Sequence, residues 1–369
     1  MSTLPPKRIR YFELCAFVER IFMSYGMSSE HASMVSRNLC LADLRGIASH
    51  GVARLEGYCR LIEAGRIEVK PTFHWETNHL SAATLNAGGA IGLLSAEIAM
   101  DAAIQKAHNT GCAFIAVKHS NHFGIASAYV MRAMEQGMIG WAMTNASPLV
   151  APPGSARRFF GTNPLCIGFP FSDQEPGSAP FILDMASSAV ANGKLEIATR
   201  NRYSIPFGWV VDAEGIPSQD PSILKQGGSL LPLGSDEEHG VHKGYGLAAV
   251  IDLLSGVLGG AAFGPWVPPF VAFLNPLEGG MGQGIGHLVG VMNPQAFSDL
   301  NEYKERIACW MKTLKASNKP RQKVVVHGEP EHMAQQKGLQ DGVKIEEVVL
   351  QKLRVLAQQK GVSMPPENS

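Results

Sequence analysis

From Phe114 to Val117 the chain is continuously apolar, and it runs directly into Lys118-His119-Ser120-Asn121-His122 before Phe123 and Gly124. Few folds accommodate that. A short apolar run bounded by turn signals suits a strand buried on both faces. Polar side chains at its C-terminal end stand where an α/β architecture exposes reactive groups. With the helix that Ala126-Ser127-Ala128-Tyr129-Val130 begins after Gly124, the stretch predicts a strand, a polar turn and a helix in a layered α/β region. Carbonyl chemistry fits the cluster, and so do histidines that only hydrogen-bond.

With 369 residues the chain is too long for one ordinary core, and two or three domains are expected. Lys plus Arg equals Asp plus Glu at 32 each, so there is no overall positive field to gather phosphate backbones, and nucleic acid is not expected as a partner. The six cysteines form no Cys-x-x-Cys pair and sit mostly among apolar neighbours, which predicts a reducing, cytoplasmic setting. Residues 1–14 hold no apolar core long enough for a signal peptide. The longest apolar stretch, Gly246 to Phe263, is interrupted by Asp252 and Ser255 and predicts a buried amphipathic helix, with no membrane span expected.

Residues 11–70 carry helical spacing: Phe12, Leu14, Cys15, Val18, Ile21 and Phe22, then a second helix capped by Ser28 with Met34, Val35, Leu39 and Leu41 on its apolar face. Its tail brings Asp43, Arg45, Ser49, His50 and Arg54 into one short window. If a helix starts after Ser49, His50 and Arg54 share a face. That pair suits an anionic substrate, the guanidinium as a fork for a carboxylate and the imidazole as a proton donor. An N-cap serine beside a solvated histidine fits the spacing equally well.

From about Pro71 strands alternate with helices. The expected boundaries are a helical N-terminal domain over 1–75, an α/β region over 76–300 and a C-terminal helical segment over 301–369 that packs back on the first domain. Strands are expected over residues 82–87, 139–145 and 287–292, and helices over 92–110, 297–317 and 344–359. The turn Thr144-Asn145-Ala146-Ser147-Pro148 offers backbone groups to a ligand. Asp184, lone among apolar residues in Phe181 to Ala186, is expected to be buried and paired with a cation or a histidine. Lys243, between Gly240 and Gly244 at a helix start, can reach a phosphate.

Several motifs carry less. Gly282-Gln283-Gly284-Ile285-Gly286 lacks the Gly-x-Gly-x-x-Gly spacing and precedes a strand, so it is no Rossmann fingerprint. There is no Gly-x-Ser-x-Gly elbow for acyl transfer. The pairs His119/His122 and His239/His242 have i, i+3 spacing without a His-Glu-x-x-His motif, which leaves a metal-dependent hydrolase as the alternative from another class.

Six blocks in order carry a resemblance: Asp43-Leu44-Arg45-Gly46 with Ser49-His50-Gly51 and Arg54; Ser120-Asn121-His122-Phe123-Gly124; Gly161-Thr162-Asn163-Pro164; Leu183-Asp184-Met185-Ala186; His242-Lys243-Gly244-Tyr245-Gly246; and Gly286-His287-Leu288. Together they resemble the malate/L-lactate dehydrogenase family, distinct from the Rossmann-fold lactate and malate dehydrogenases. The resemblance implies an α/β, mixed-sheet, non-Rossmann nicotinamide-binding fold with a helical N-terminal domain, and a homodimer with active sites near the subunit interface. It implies an oxidoreductase moving a hydride between NAD or NADP and a small 2-oxo or 2-hydroxy acid. On that analogy His50 or His122 passes the proton, Ser49 stands beside them, Arg54 grips the substrate carboxylate, and Asp184 orients an imidazole. Cofactor contacts are implied at Thr144, Ala146, Ser147, Thr162, Asn163, Asp184, Met185, Ala186, Lys243, Gly244, Gly286, His287 and Leu288, with no metal at the site. The insertion-like Ser235 to His239 resembles malate or lactate enzymes more than the family's cyclic imino acid reductases, which remain the alternative substrate class. Where the family often has Pro-Gly-Glu, this chain has His327-Gly328-Glu329.

Overall fold

Strand β1 (Lys7–Ile9) leads into α1 (Tyr11–Ser24) and α2 (Ser29–Leu44), and the three- and four-residue spacing of Leu14, Val18, Ile21 and Phe22 is the buried stripe of α1. The computed structural model describes residues 7–171, 179–319 and 322–367, so the first six residues of the stretch read for a signal peptide lie outside the described residues. Ser28 caps α2 as expected, its hydroxyl accepting from the His31 amide. After α3 (Leu55–Glu63) come β2 (His74–Asn78), β3 (Ala82–Asn86), α4 (Gly92–Thr110), β4 (Cys112–Ser120), α5 (Ser127–Glu135), β5 (Ile139–Thr144), β6 (Leu165–Phe169) and β7 (Phe181–Met185). Helix α6 (Asn192–Asn201) precedes a small sheet of β8 (Val210–Val211), β9 (Pro217–Ser218) and β10 (Ser229–Leu230). Helix α7 (Val241–Asp252), β11 (Ile285–Met292), α8 (Leu300–Ala316), α9 (Glu329–Asp341), β12 (Val343–Ile345) and α10 (Glu347–Lys360) complete the chain.

The main sheet has the order β2-β3-β4-β11-β5-β6-β7. Strands β3 and β4 run parallel through the α4 crossover, and the other neighbours are antiparallel, so the sheet is mixed and its order is not that of a Rossmann fold. Ile115, Val117, Val289 and Val291 pack with Met100, Tyr129 and Val130 of α4 and α5 in one core. Phe17, Val18, Leu39, Leu55 and Tyr58 form a second core with Leu350 and Leu353 of α10, and β12 closes it by pairing with β1. The C-terminal segment divides between the two. Helix α8 lies on the far sheet edge, Trp310 edge-on to Phe181 at 5.7 Å, whereas β12 and α10 return to the N-terminal helices.

Two expectations are corrected. The stretch from Gly246 is not a buried helix: α7 ends in a π turn at Leu253–Val257, and Val250, Leu253, Val257 and Leu258 are 46–63% exposed. One side packs Ile251 of α7 and Leu254 of the π turn on Met143 and Leu288 of the sheet, and no described element covers the other. No helix starts after Ser49 either. Single 3-10 turns span Ala48–His50 and Val52–Arg54, and α3 begins only at Leu55. The cause is Gly51, where an added Cβ would lie 2.0 Å from the Asp43 carboxylate that accepts the Val52 amide at 2.7 Å. The chain wraps over that carboxylate instead of coiling on. Among the described residues no helix is long and apolar enough to cross a membrane.

Candidate active site

The polar turn after β4 is pinned from both cores. Asn121 donates through Nδ2 to the carbonyls of Gly89 (3.0 Å) and Ala90 (3.1 Å) and accepts through Oδ1 from Arg66 Nε at 3.1 Å. This fixes the backbone that presents His122 to the helical layer. There its Nδ1 lies 2.6 Å from the Tyr58 hydroxyl and its ring stacks on Phe270 at 4.5 Å. Phe270 is itself anchored: its amide donates to Ser147 Oγ (2.8 Å), its carbonyl accepts from Arg60 (2.7 Å), and Arg66 holds the carbonyls of Pro268 and Pro269.

The imidazole of His50 lies nearly parallel to that of His122, 5.9 Å away, so two residues far apart in sequence meet. Loss of solvation, helped by the Arg54 guanidinium, pushes His50 down to about 4. Burial pushes His122 well below the ordinary imidazole value, with His50 and Arg54 adding to the effect. Both rings are therefore neutral near pH 7. Burial holds the Tyr58 phenol protonated, and a phenol can donate or accept, so its contact with Nδ1 survives either protonation state of His122. Among the described residues Nε2 of His122 has no hydrogen-bond partner, and it is the atom left for chemistry.

Ser49 Oγ lies 2.9 Å from His50 Nδ1, and the Ser49 carbonyl accepts from Arg54 Nε at 2.6 Å. His50 and Arg54 thus share a site by this fold-back, not by the helical register expected. The terminal nitrogens of Arg54 face both oxygens of Glu196 at 3.1 and 3.3 Å. Ser49, Arg54, Gly193, Glu196 and Phe270 line a cavity of about 1000 Å³ between the helical layer and α6. Burial raises the Asp43 carboxyl beneath this turn to about 7.

The segments expected at a cofactor form two neighbouring groups. Asn163 Oδ1 accepts from the Ala146 amide at 3.2 Å, the Thr162 carbonyl accepts from the Ser187 amide at 2.9 Å, and Gly244 packs on Leu233, whose amide donates to Ser187 O. Met185 and Ala186 are half-buried on the same path, and Lys243 is exposed on the first turn of α7. The second group is Thr144 with Gly286 and His287, Thr144 Oγ1 donating to the Gly286 carbonyl at 2.8 Å.

Within these groups four side chains depart from expectation. Asp184 keeps solvent access along the cleft it lines, although burial raises its carboxyl above the ordinary value, and the cation beside it is Arg45. It accepts from the Ser127 amide at 2.9 Å beside Arg45 and Glu331, whereas His122 has Tyr58 and His50 has Ser49 at Nδ1, so Asp184 is not the group that orients either imidazole. His287 is fully buried with both nitrogens bonded, to Thr144 Oγ1 at 2.7 Å and Ser120 Oγ at 2.8 Å, and offers its ring to no ligand. Leu288 points to the opposite face among Met143, Ala116 and Ile251. The Ser147 hydroxyl is engaged by Phe270.

Among the described residues no group of three or more His, Cys, Asp or Glu side chains comes together to hold a metal. His239 is exposed and paired with Asp236, and His119 takes a left-handed backbone (φ 51°) that turns it from His122. The metal-hydrolase alternative finds no set of three ligands among the described residues. Sequence reasoning missed Tyr58, Arg66, Glu196 and Phe270. Tyr58 had a readable signal, standing one helical turn beyond Arg54; the others come from distant segments with no motif of their own.

The family model described as malate/L-lactate dehydrogenase matches residues 9–354. A malate dehydrogenase of Pyrococcus horikoshii is 37% identical over 96% of this chain and 96% of its own length. A malate/(S)-sulfolactate dehydrogenase of Methanothermus fervidus is 34% identical over 95% of this chain and 97% of its own. The solved structure of the Pyrococcus horikoshii malate dehydrogenase superposes with a TM-score of 0.87 at 34% identity, covering 99% of both chains. With the mixed sheet, the paired imidazoles and the arginine beside them, these matches establish that the chain belongs to the malate/L-lactate dehydrogenase family.

Proposed function

We propose that this dehydrogenase interconverts a small 2-oxo acid and its 2-hydroxy acid, of the malate or lactate type, with NAD or NADP. The observation that carries the proposal is the juxtaposition of the arginine fork of Arg54 with two neutral imidazoles, which matches a substrate bearing a carboxylate next to a carbonyl. The malate and sulfolactate activities named for the relatives are of the same class.

Polar groups left open by the fold fit a nicotinamide dinucleotide. Buried Arg45 has an Nε without a partner among the described residues, and the buried Ser127 hydroxyl lies beside the Asp184 carboxylate that its own amide bonds. Both line a cleft of about 220 Å³ with the exposed Asp184 carboxylate and the Gly328 turn. Asp184, Thr162, the Met185–Ala186 backbone, Lys243 and Gly244 are the residues that would hold the cofactor, whereas Asn163, fully buried with its amide bonded to Ala146 and Ala248, shapes the turn and offers no side-chain group to a ligand. When bound, the nicotinamide supplies or accepts the hydride at the substrate's carbonyl carbon.

Arg54 orients the substrate by its carboxylate. His122 exchanges the proton through Nε2: in the hydroxy-acid direction it takes the hydroxyl proton, and in the oxo-acid direction it returns it to the oxygen. Tyr58 bonds Nδ1 in both states. Phe270 and Tyr58 exclude water from the ring, which keeps its resting form neutral. His50, with Ser49, is the second candidate for the proton, and its ring helps hold that of His122 neutral. The exposed apolar side of α7 supports a homodimer, and the free cysteines suit a cytoplasmic setting.

Nicotinamide absorbance is the test, with NADH and NADPH against oxaloacetate, pyruvate, longer 2-oxo acids and a cyclic imine. Oxaloacetate or pyruvate is expected to give the highest kcat/KM. A cyclic imine turned over faster than every 2-oxo acid would overturn the substrate assignment.

A further inference from the structure

The fork that the proposed function assigns to the substrate is already filled. Arg54 has two edges on which it can hold a carboxylate, and the one that includes Nε is committed to the Ser49 carbonyl at 2.6 Å. The remaining edge, Nη1 with Nη2, faces both oxygens of Glu196, in the side-by-side geometry a substrate carboxylate would adopt. The contacts, 3.1 and 3.3 Å, are longer than the ~2.7–2.9 Å of a tight charge-assisted pair, so the fork is occupied without being saturated.

Glu196 comes from α6, and its side chain is 46% exposed while that of Arg54 is 18% exposed. Asn192 Nδ2 donates to the same carboxylate at 2.9 Å. Helix α6 rests directly on the substrate segment: a Cβ added at Gly193 would lie 2.7 Å from the Ser49 Cβ and 3.5 Å from an Arg54 nitrogen. All of these groups line the cavity of about 1000 Å³. A half-buried guanidinium without a counter-ion is costly, and the more solvated Glu196 supplies one while leaving itself free to swing into water.

We propose that Glu196 is an exchangeable internal counter-ion for Arg54, occupying the substrate-carboxylate seat in the free enzyme and displaced when a 2-oxo acid binds. It acts through Arg54 and touches no reacting atom. The exchange swaps one carboxylate for another, so the charge beside the two neutral imidazoles stays balanced. A neutral carbonyl compound brings nothing with which to displace it, and Glu196 thereby enforces the requirement for an acid. The exchange also weakens acid binding: if the fork is open in roughly a tenth of the molecules, apparent affinity falls about tenfold.

This inference rests on Arg54 as the carboxylate clamp, and the test separates the two. Steady-state KM and kcat for the preferred 2-oxo acid, and the dissociation constant of oxamate measured calorimetrically with cofactor present, are compared in the wild type, Glu196→Gln, Arg54→Gln and the double variant. Glu196→Gln is expected to lower KM and the oxamate constant by about tenfold, and Glu196→Asp to leave KM near the wild-type value. In the Arg54→Gln background the Glu196→Gln substitution is expected to change nothing. A KM that rises in Glu196→Gln would mean that Glu196 only positions Arg54, and an unchanged KM and oxamate constant would mean that it does not compete; either overturns the proposal. If Arg54→Gln leaves KM and oxamate binding intact, the clamp assignment itself fails, a result distinct from both.

Discussion

Two histidines at neighbouring strands of one sheet, His287 fully buried and His122 half-buried, are bonded in opposite ways. His287, in β11, bonds through both nitrogens, Nδ1 to Thr144 and Nε2 to Ser120, which in turn lies 2.6 Å from Ser95, and its ring stacks on Phe123 at 4.8 Å. His122, just past the end of β4, has Nδ1 tied to Tyr58 and Nε2 left open, beside a second imidazole and an arginine. Both are driven below the ordinary imidazole value by burial, His287 to about 3. A lowered pKa therefore does not separate the histidine proposed for proton transfer from a structural one. The open nitrogen does.

The largest effect that tests this contrast is on rate. His122→Ala is expected to lower kcat by about 10²–10⁴-fold, the usual range for a general acid or base, with a melting temperature close to the wild type. The same measurement on His50→Ala decides between the rings, since a variant with an unchanged rate is excluded from proton transfer. His287→Ala should behave in the opposite sense. It strands the Ser120 and Thr144 hydroxyls and opens a cavity, a loss of about 3 kcal/mol visible as a lower denaturation midpoint, while kcat per folded molecule stays within a few-fold. A His287→Ala protein that is stable and inactive would break the comparison.

The pH dependence of stability sharpens it. At pH above 6.5 His287 is neutral both folded and unfolded, and its share of stability is complete. As pH falls below 6.5 the unfolded chain binds a proton that the folded chain refuses until about pH 3, so stability drops by about 1.4 kcal/mol per pH unit for this group. Asp43 acts against it. Its folded carboxyl, raised to about 7, binds a proton before the unfolded one does, so it contributes stability that grows as pH falls from 7 toward 4. Between pH 6.5 and 4.5 the denaturation midpoint should fall less steeply in His287→Gln than in the wild type and more steeply in Asp43→Asn. Parallel slopes in all three proteins would show that neither group titrates as the fold implies.

What was legible in the sequence follows the same line between pattern and contact. Strand β4 and helices α1, α2 and α4 could be read because their buried faces repeat with the period of the element. Helix α6 could not, because it buries only Gly193, Leu195 and Ala198, too thin a stripe to register, and Glu196 was lost with it. His50, Arg54 and His122 were legible by type and by the blocks around them, but their meeting depends on Gly51 folding the chain over Asp43. Asp184 shows the same divide: alternation along β7 puts it on the face of buried Ile182, and its solvent access comes from the cleft it lines with Arg45, His327 and Glu331, which no local pattern encodes. Phe270 reads in the sequence as one more aromatic of a Pro-rich loop, and only the hydrogen bonds from Arg60 and to Ser147 make it a wall of the site.

The smallest effect probes the shorter of the two bonds at Nδ1 of His122, to which the Gly124 amide also donates at 3.4 Å. Tyr58→Phe removes the hydroxyl 2.6 Å from Nδ1 and leaves the packing of the ring against Phe270. A net hydrogen bond is worth about 1 kcal/mol, so kcat/KM should fall about fivefold, an order of magnitude or more less than for loss of His122. The pH profile says which role the bond has. If Tyr58 supports the proton-carrying form of His122 by accepting from Nδ1, its loss destabilises the imidazolium and shifts the group's limb in the kcat profile to lower pH. A fivefold loss with an unshifted limb would mean that the hydroxyl only holds the ring in place. No loss at all would mean that His122 is held by stacking on Phe270, and that having one nitrogen tied and one free is incidental to its function.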